Sequence, residues 1–416
     1  MRILWLCNIR FSDDPIKGTG SWLQPLAQAI NNIEGYEVVN VTIGRTTNII
    51  HERCCSMIQY ILPNKKHLYN KNKWLKETGN ELTHLINEEK PDLVHIWGTE
   101  SYWALLHRMG YIRCRVVLDM QGVCSETSRN YKADLGFLDL KKELPFIKAI
   151  FTYIKWQKDY KKSIKGSKEE YNIIRSFKYI SVQSEWVSRH IHFYNPTAIV
   201  LKTRIVLRAP FYNQCVWEWH ECGDKPIVFT SLSASSIYKG LHILLQSISL
   251  LKNRFPNIEL RIAGNVFTKN RMGIPGYSVY LLGLIKSLDL ENNVVFLGSL
   301  DANQIVEQLL EANVCVIPSF VESYCLGFAE ALMVGTPTVA AYSGALPDIA
   351  KDKKETLFYN PRDYISSAAF IEQIISDKNL SMMLSSNARA QRLIDNDLQK
   401  VLTGQIDIYD TILKDN

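Results

Sequence analysis

The chain alternates short β-branched runs with helix-length apolar patterns, and it does so twice. In the first half the strand candidates are 2–9 (RILWLCNI), 36–43 (YEVVNVTI), 91–97 (PDLVHIW), 114–120 (CRVVLDM) and 178–183 (KYISVQ). Helical patterns at 21–33 and 73–89 fall between them. The rhythm restarts after ECGDKP (221–226), with strands at 226–232, 257–264, 293–300, 313–319 and 336–342 and helices at 241–255, 280–290 and 303–312. Strands that alternate with helices pair in parallel and need helical cover on both faces, so each half predicts a doubly wound α/β sheet. Sheets of this kind take ligands beyond the carboxyl ends of their strands.

At 416 residues the chain exceeds one ordinary core. The expected division is two Rossmann-like domains, 1–208 and 226–395, joined by a linker at 209–225 and facing each other across a cleft. Residues 396–416 form a final helix that either completes the second domain or returns to the first. The amino terminus has one Arg and only a short apolar run, unlike a signal peptide. No stretch reaches the roughly 18–20 apolar residues of a spanning helix, so the expected setting is cytoplasmic. The nine cysteines include no paired C-x2-C spacing and several sit in apolar runs. That pattern fits a reducing compartment and argues against zinc knuckles.

The segment 316–341, VIPSFVESYCLGFAEALMVGTPTVAA, runs from one apolar strand through a polar loop into a helix and a second strand. A helix starting near Leu326 or Gly327 turns unpaired N–H groups toward the loop, an arrangement that favours anions. Glu322 then lies in the loop and Glu330 about one turn into the helix, among apolar neighbours that give an acid no reason to be there. Carboxylates accept well from sugar hydroxyls.

This segment, set between VCVIPS and GTPTVA, resembles the signature of the retaining nucleotide-sugar glycosyltransferases of family 4, which have the GT-B fold. PIVFTSLSASSIYKGLHILLQSI, IELRIAG and VVFLGSL resemble the family's preceding strands and loops in order. The likeness is strong over about 180–350 and looser elsewhere. It implies that 1–208 binds acceptor and 226–395 binds donor, a UDP- or GDP-linked sugar, with no metal and no other cofactor. It also implies roles for individual residues. Glu322 contacts hydroxyls of the donor sugar, Glu330 holds the ribose, and Ser323, Tyr324, Cys325, Leu326 and Gly327 present backbone to the diphosphate. Lys239 neutralises that diphosphate, and Gly264 and Gly298 lie near the base. Gly20, in the Gly18/Gly20 loop with Thr19 and Ser21, approaches the donor phosphate.

Two positions depart from the family pattern. FTSLSASS has Ser and Thr where members often have an Arg on the diphosphate. Gln121-Gly122 stands where many have His-Gly. Gln hydrogen-bonds a hydroxyl and carries no proton, so Gln121 is assigned binding at the reacting centre without acid–base work. On the acceptor side the candidates are Thr99 and Glu100, at a strand end, with Glu126 and Arg129 on a nearby rim. His95 alternates with apolar neighbours and reads as a core residue.

Net charge is +6, yet Lys141–Tyr179 alone holds eleven Lys/Arg against four Asp/Glu, a net +7. In this segment Phe146, Ile150, Tyr153 and Ile154 recur at helical spacing among lysines. A basic amphipathic segment with aromatics fits an anionic membrane surface, and a solvated helix face fits it as well. No nucleic-acid motif accompanies it. The function expected is transfer of a hexosyl group from a nucleoside diphosphate sugar to a hydroxyl of a glycan or lipid-linked oligosaccharide, in bacterial surface polysaccharide, capsule or lipopolysaccharide synthesis. The alternatives are a sugar-nucleotide epimerase of the same fold and a nucleotide-sugar-binding protein without transfer. A dinucleotide oxidoreductase lacks its glycine fingerprint here.

Overall fold

The computed structural model describes residues 1–13, 22–65, 70–100, 102–212, 216–232, 236–264 and 276–415. By packing the chain forms two units. The first comprises Met1–Val123, Lys168–Arg208 and Asn396–Asn416, and the second Cys124–Ser167 and Ala209–Asp395.

The first unit holds β1 (Arg2–Leu6), β2 (Glu37–Gly44), β3 (Ile50–Cys54), β4 (Met57–Pro63), β5 (Leu93–Trp97), β6 (Val116–Met120), β7 (Tyr179–Val182) and β8 (Ile199–Lys202). They order as β3-β4-β2-β1-β5-β6-β7-β8, parallel except for the antiparallel β3–β4 pair. β5 and β6 are buried along their whole length, as a strand covered on both faces must be. The β3–β4 hairpin is not among the strands expected from sequence. Cys54 pairs with Met57, so Cys55 and Ser56 alone make the turn, both at positive φ (50° and 64°). That geometry matches the twist of a two-residue hairpin but ordinarily uses Asn-Gly, so no turn signal marked it. Cys54, Cys55 and Asp13 have ligand-type atoms within 4.8 Å of one another. Burial pushes the Cys55 thiol up to about 12, the protonated form of a hydrogen-bonded knot.

The helix Leu398–Lys414 belongs to this first unit. Its Tyr409 hydroxyl accepts from Trp5 Nε1 (3.1 Å) and lies 2.9 Å from His95 Nδ1. His95 is fully buried and stacks on Trp97, and burial lowers its pKa to about 3, as befits a neutral core histidine.

The second unit holds β9 (Ile227–Ser231), β10 (Glu259–Ala263), β11 (Val294–Gly298), β12 (Val314–Ile317), β13 (Thr338–Ala341) and β14 (Leu357–Tyr359). Its order is β11-β10-β9-β12-β13-β14, every pair parallel. Strand order therefore reverses beside β9: successive strands leave one side of it, then the other. The gap between β9 and β12 is the switch point at which loops part, where such sheets take ligands. The three-residue edge strand β14 is too short to leave a periodic signal in the sequence.

Candidate functional site

The site of the second unit grows from the loops after β9, β12 and β13. After β9 the chain makes a 3-10 turn, Ile237–Lys239, closed by Gly240 at φ 73°. A Cβ on Gly240 would lie 2.0 Å from the Pro318 carbonyl oxygen, so only glycine lets this loop lie against the one after β12. The Phe320 amide donates to the Tyr238 carbonyl (2.7 Å), tying the loops together. Their contact ends in an ion pair, Lys239 Nζ to Glu322 Oε1, at 2.6 Å.

A third loop clamps the far side of Glu322. Gly344, after β13, has φ 52°, and a Cβ there would lie 2.1 Å from the Glu322 carbonyl oxygen. The Ala345 amide donates to that same oxygen (2.8 Å), and Ser343 Oγ donates to the Ser319 carbonyl (2.6 Å). Glu322 is thus held by backbone on one side and a lysine on the other, with little exposure. Burial disfavours the Lys239 ammonium, but the Glu322 carboxylate outweighs it and holds the lysine above its ordinary range. The cation is permanent at any physiological pH.

The helix Leu326–Val334 begins three residues beyond Ser323, with Cys325 as its N-cap at φ 81°, ψ 87°. A non-glycine residue in the left-handed region is strained, and such strain concentrates at functional turns. Burial and the nearby Glu322 charge push the Cys325 thiol well up. The amides of Leu326 and Gly327 have no acceptor within their own helix, as first-turn amides do not. A Cβ on Gly327 would approach the Ser231 carbonyl to 3.3 Å, which sets the helix start against the end of β9. Glu330, one turn in, is buried. Gly264 directly follows β10 and Gly298 ends β11, the Gly264 amide donating to the Gly298 carbonyl (2.7 Å).

In the second unit the structure therefore brings Lys239, Glu322, Ser323, Tyr324, Cys325, Leu326 and Gly327 to one set of strand ends, with Glu330 in the helix that follows. Gly264 and Gly298 stand across β9 from them. Gly20, with Thr19 and Ser21, lies outside the described residues, as do 233–235 in the stretch that lacks the expected Arg. Gly344 and Ser343 were not foreseen; the turn signal in YSGAL was the clue available.

In the first unit, Thr99, Glu100 and Gln121 follow β5 and β6. Thr99 is buried and its Oγ1 donates to Glu170 Oε1 (2.8 Å), a tie to the chain itself. Glu100 is exposed, with its carboxylate against two glycines: a Cβ on Gly98 or Gly122 would come within 2.3 or 2.4 Å of its oxygens. Desolvation by neighbouring protein, with the Glu170 charge, raises its pKa. Gln121 Nε2 is buried and has no hydrogen-bond partner among the described residues, a donor left over for something else. Asp119, at the end of β6, was not foreseen. It is fully buried and accepts from Ser181 Oγ (2.7 Å) and Gln183 Nε2 (2.5 Å), and burial pushes its pKa up to about 7. Glu126 and Arg129 lie in the second unit and pair with each other, so the four acceptor candidates divide two and two between the units.

Residues 219–391 match the protein family described as glycosyl transferases group 1. Among curated proteins, the chain is 31% identical over 142 residues to the protein CapJ of Staphylococcus aureus, covering 34% of this chain and 33% of that one. It is 29% identical over 140 residues to the D-inositol 3-phosphate glycosyltransferase of Corynebacterium diphtheriae, 34% of this chain and 32% of that one. These matches span about a third of the relatives' own length. Among solved structures, sucrose-phosphate synthase from Thermosynechococcus elongatus aligns over 100% of both chains at TM-score 0.76 and 15% identity. Anabaena HepE in complex with UDP and glucose aligns over 99% of this chain and 100% of that one, at TM-score 0.66 and 15% identity. These likenesses extend the shared GT-B fold to the whole chain.

Proposed function

We propose that this chain, which belongs to the glycosyl transferases group 1 family through residues 219–391, moves a hexosyl group from a nucleoside diphosphate sugar to a hydroxyl of a glycan or lipid-linked acceptor, with retention at the anomeric carbon and without a metal. The observation that supports this most is the locked pair Lys239–Glu322 at the mouth of the Leu326–Val334 helix.

The chemistry follows from where charge grows. As the sugar–phosphate bond breaks, negative charge builds on the departing diphosphate. The Leu326 and Gly327 amides, the helix dipole and the Lys239 ammonium supply fixed positive charge that stabilises the departing group more than the bound donor. Glu322, oriented by Lys239 and by the Ala345 amide on its own carbonyl, offers its free carboxylate oxygen to sugar hydroxyls. Glu330 takes the ribose, and Gly264 and Gly298 leave room for the base. Gln121, with a spare donor and no proton to lose, binds a hydroxyl. The departing phosphate oxygen takes the acceptor proton, so neither Glu322 nor Gln121 acts as a base. Thr99, Glu100, Glu126 and Arg129 are assigned to the acceptor, and 141–179 to an anionic membrane surface on the cytoplasmic face, in surface polysaccharide assembly.

The test is a panel of UDP- and GDP-linked sugars assayed for hydrolysis and for transfer to glycan acceptors, with the product's anomeric configuration read by NMR. The expected result is turnover of one donor class in the presence of chelator, with a retained linkage. An inverted product overturns the mechanism. Interconversion of the donor's own sugar would indicate an epimerase, and tight donor binding without any turnover would leave a binding protein.

A further inference from the structure

The helix Phe146–Ile174 is 29 residues long, and its two sides are unlike. The inward side is formed in its first half by Ala149 and Trp156, which pack in the core of the second unit with Leu140, Leu281 and Leu284. This seat is close: a Cβ on Gly276 would lie 2.8 Å from Thr152 Cγ2 and 3.1 Å from Trp156 Nε1. Sequence reading placed Phe146 and Ile154 on a single apolar side with Ile150 and Tyr153. The structure instead turns Phe146 and Ile154 outward.

The outward side is apolar at one end and basic along the rest. Ile147, Phe151 and Ile154 are 68%, 69% and 45% exposed, and fall at i, i+4 and i+7, one helix face. Phe146 (58%) and Leu138 (72%), from the preceding helix Phe137–Glu143, stand at the same end. The same face continues as Lys158, Lys161, Lys162 and Lys165, all exposed. Single exposed apolar residues are ordinary, but five large ones together at the head of a basic stripe are not.

We infer that this face docks on an anionic lipid bilayer, with Leu138, Ile147, Phe151 and Ile154 entering the interface and the lysine stripe lying on the headgroups, and that the second unit, the one holding Lys239 and Glu322, carries this anchor. Charge complementarity selects this occupant: an acidic protein would match the lysines but offers no reason for the exposed Phe and Ile, and a second copy would bring lysine against lysine. An interfacial helix has this combination of an apolar face and flanking cations. No described helix is long and apolar enough to cross a membrane, so the contact is a surface one. The proposal sharpens the membrane assignment made above by naming the residues that enter the lipid and the unit that bears them. It is independent of the transfer chemistry, because it rests on exposure and charge alone.

The test is co-sedimentation of the full chain with vesicles of phosphatidylcholine alone or with phosphatidylglycerol, beside the double variant Ile147→Ser/Phe151→Ser and the charge variant Lys158→Glu/Lys162→Glu. The expected result is binding that needs the anionic lipid and weakens with salt. Each double variant should lose roughly tenfold or more in partition, with unchanged near-UV circular dichroism and melting temperature. Equal sedimentation of wild type and both variants, or none with any vesicle, overturns the proposal. So does a concentration-dependent dimer that the Ile147→Ser/Phe151→Ser variant abolishes while vesicles are ignored. A chain that binds vesicles yet turns over no donor leaves this surface standing and sinks the transfer reading; turnover without vesicle binding does the reverse.

Discussion

Lys239 Nζ lies 2.6 Å from Glu322 Oε1, joining the loops that follow β9 and β12, neighbouring strands that stand 83 residues apart at this contact. Glu322 is the less exposed partner, so removing the lysine leaves a nearly buried carboxylate without its cation. For Lys239→Met we expect a stability loss of about 1–3 kcal/mol and a fall in donor turnover on the order of 100-fold, mostly in kcat. Glu322→Gln keeps an acceptor oxygen and should cost less stability. Chemical denaturation and donor hydrolysis kinetics separate the two effects. If the Met variant unfolds more easily yet turns over donor at the wild-type rate, the pair is only a tie between loops.

Gly344 holds Glu322 from behind. Its φ of 52° and the 2.1 Å approach of a Cβ to the Glu322 carbonyl oxygen mean that Gly344→Ala must push the 343–345 loop away or move Glu322. A shift of about 1 Å in a positioned group costs on the order of 100-fold in rate. The expected phenotype is a folded protein with kcat reduced by that order and with the far-UV spectrum unchanged. Ala substitution at Gly110, which also has positive φ but has open space around it, is the control for backbone strain alone.

Cys325 caps its helix in the left-handed region, where a branched side chain fits worst. Cys325→Gly removes the strain and a half-buried thiol together, and the two effects should cancel to within about 1 kcal/mol. Cys325→Val keeps the bulk and adds a β-branch, and should lose about 2 kcal/mol or more. Thermal denaturation of both variants tests the pair; equal losses would show that the thiol's packing, not the backbone, sets the choice of residue.

How much of this was legible depends on how local each requirement is. The helix start at Leu326 and the placing of Glu322 before it and Glu330 within it follow from a single stretch of residues, and periodicity reveals such things. Gly344 was not legible because its necessity comes from a carbonyl 22 residues earlier in the chain. The β3–β4 turn escaped because Cys55 and Ser56 adopt positive φ without the residues that usually advertise it. The Phe146–Ile174 helix was legible as basic and amphipathic, but not as to which side packs. That depends on Gly276, far along the chain, making room for Thr152 and Trp156. Asp119 reads as one more position in a core strand, VVLDM, until Ser181 and Gln183 are brought beside it.

Asp119 also yields a pH dependence. Burial raises its folded pKa to about 7, above the unfolded value of about 3.9 for an aspartate. A carboxyl with a raised folded pKa binds its proton more tightly in the native state. Its favourable contribution is therefore complete below about pH 4 and is lost as pH rises to about 7. Both neighbours, Ser181 Oγ and Gln183 Nε2, aim donors at it, and those bonds partly offset burial without cancelling it. Asp119→Asn cannot ionise, so its stability should lack this one-proton decline between pH 4 and pH 7. The measurement is urea denaturation of both proteins across that range, taken as a difference so that other groups cancel. The difference should move in the variant's favour as pH rises, by up to about 1.4 kcal/mol per pH unit where the titration is steepest. A constant difference from pH 4 to pH 7 would place the Asp119 proton elsewhere and remove the buried acid from the account of this strand end.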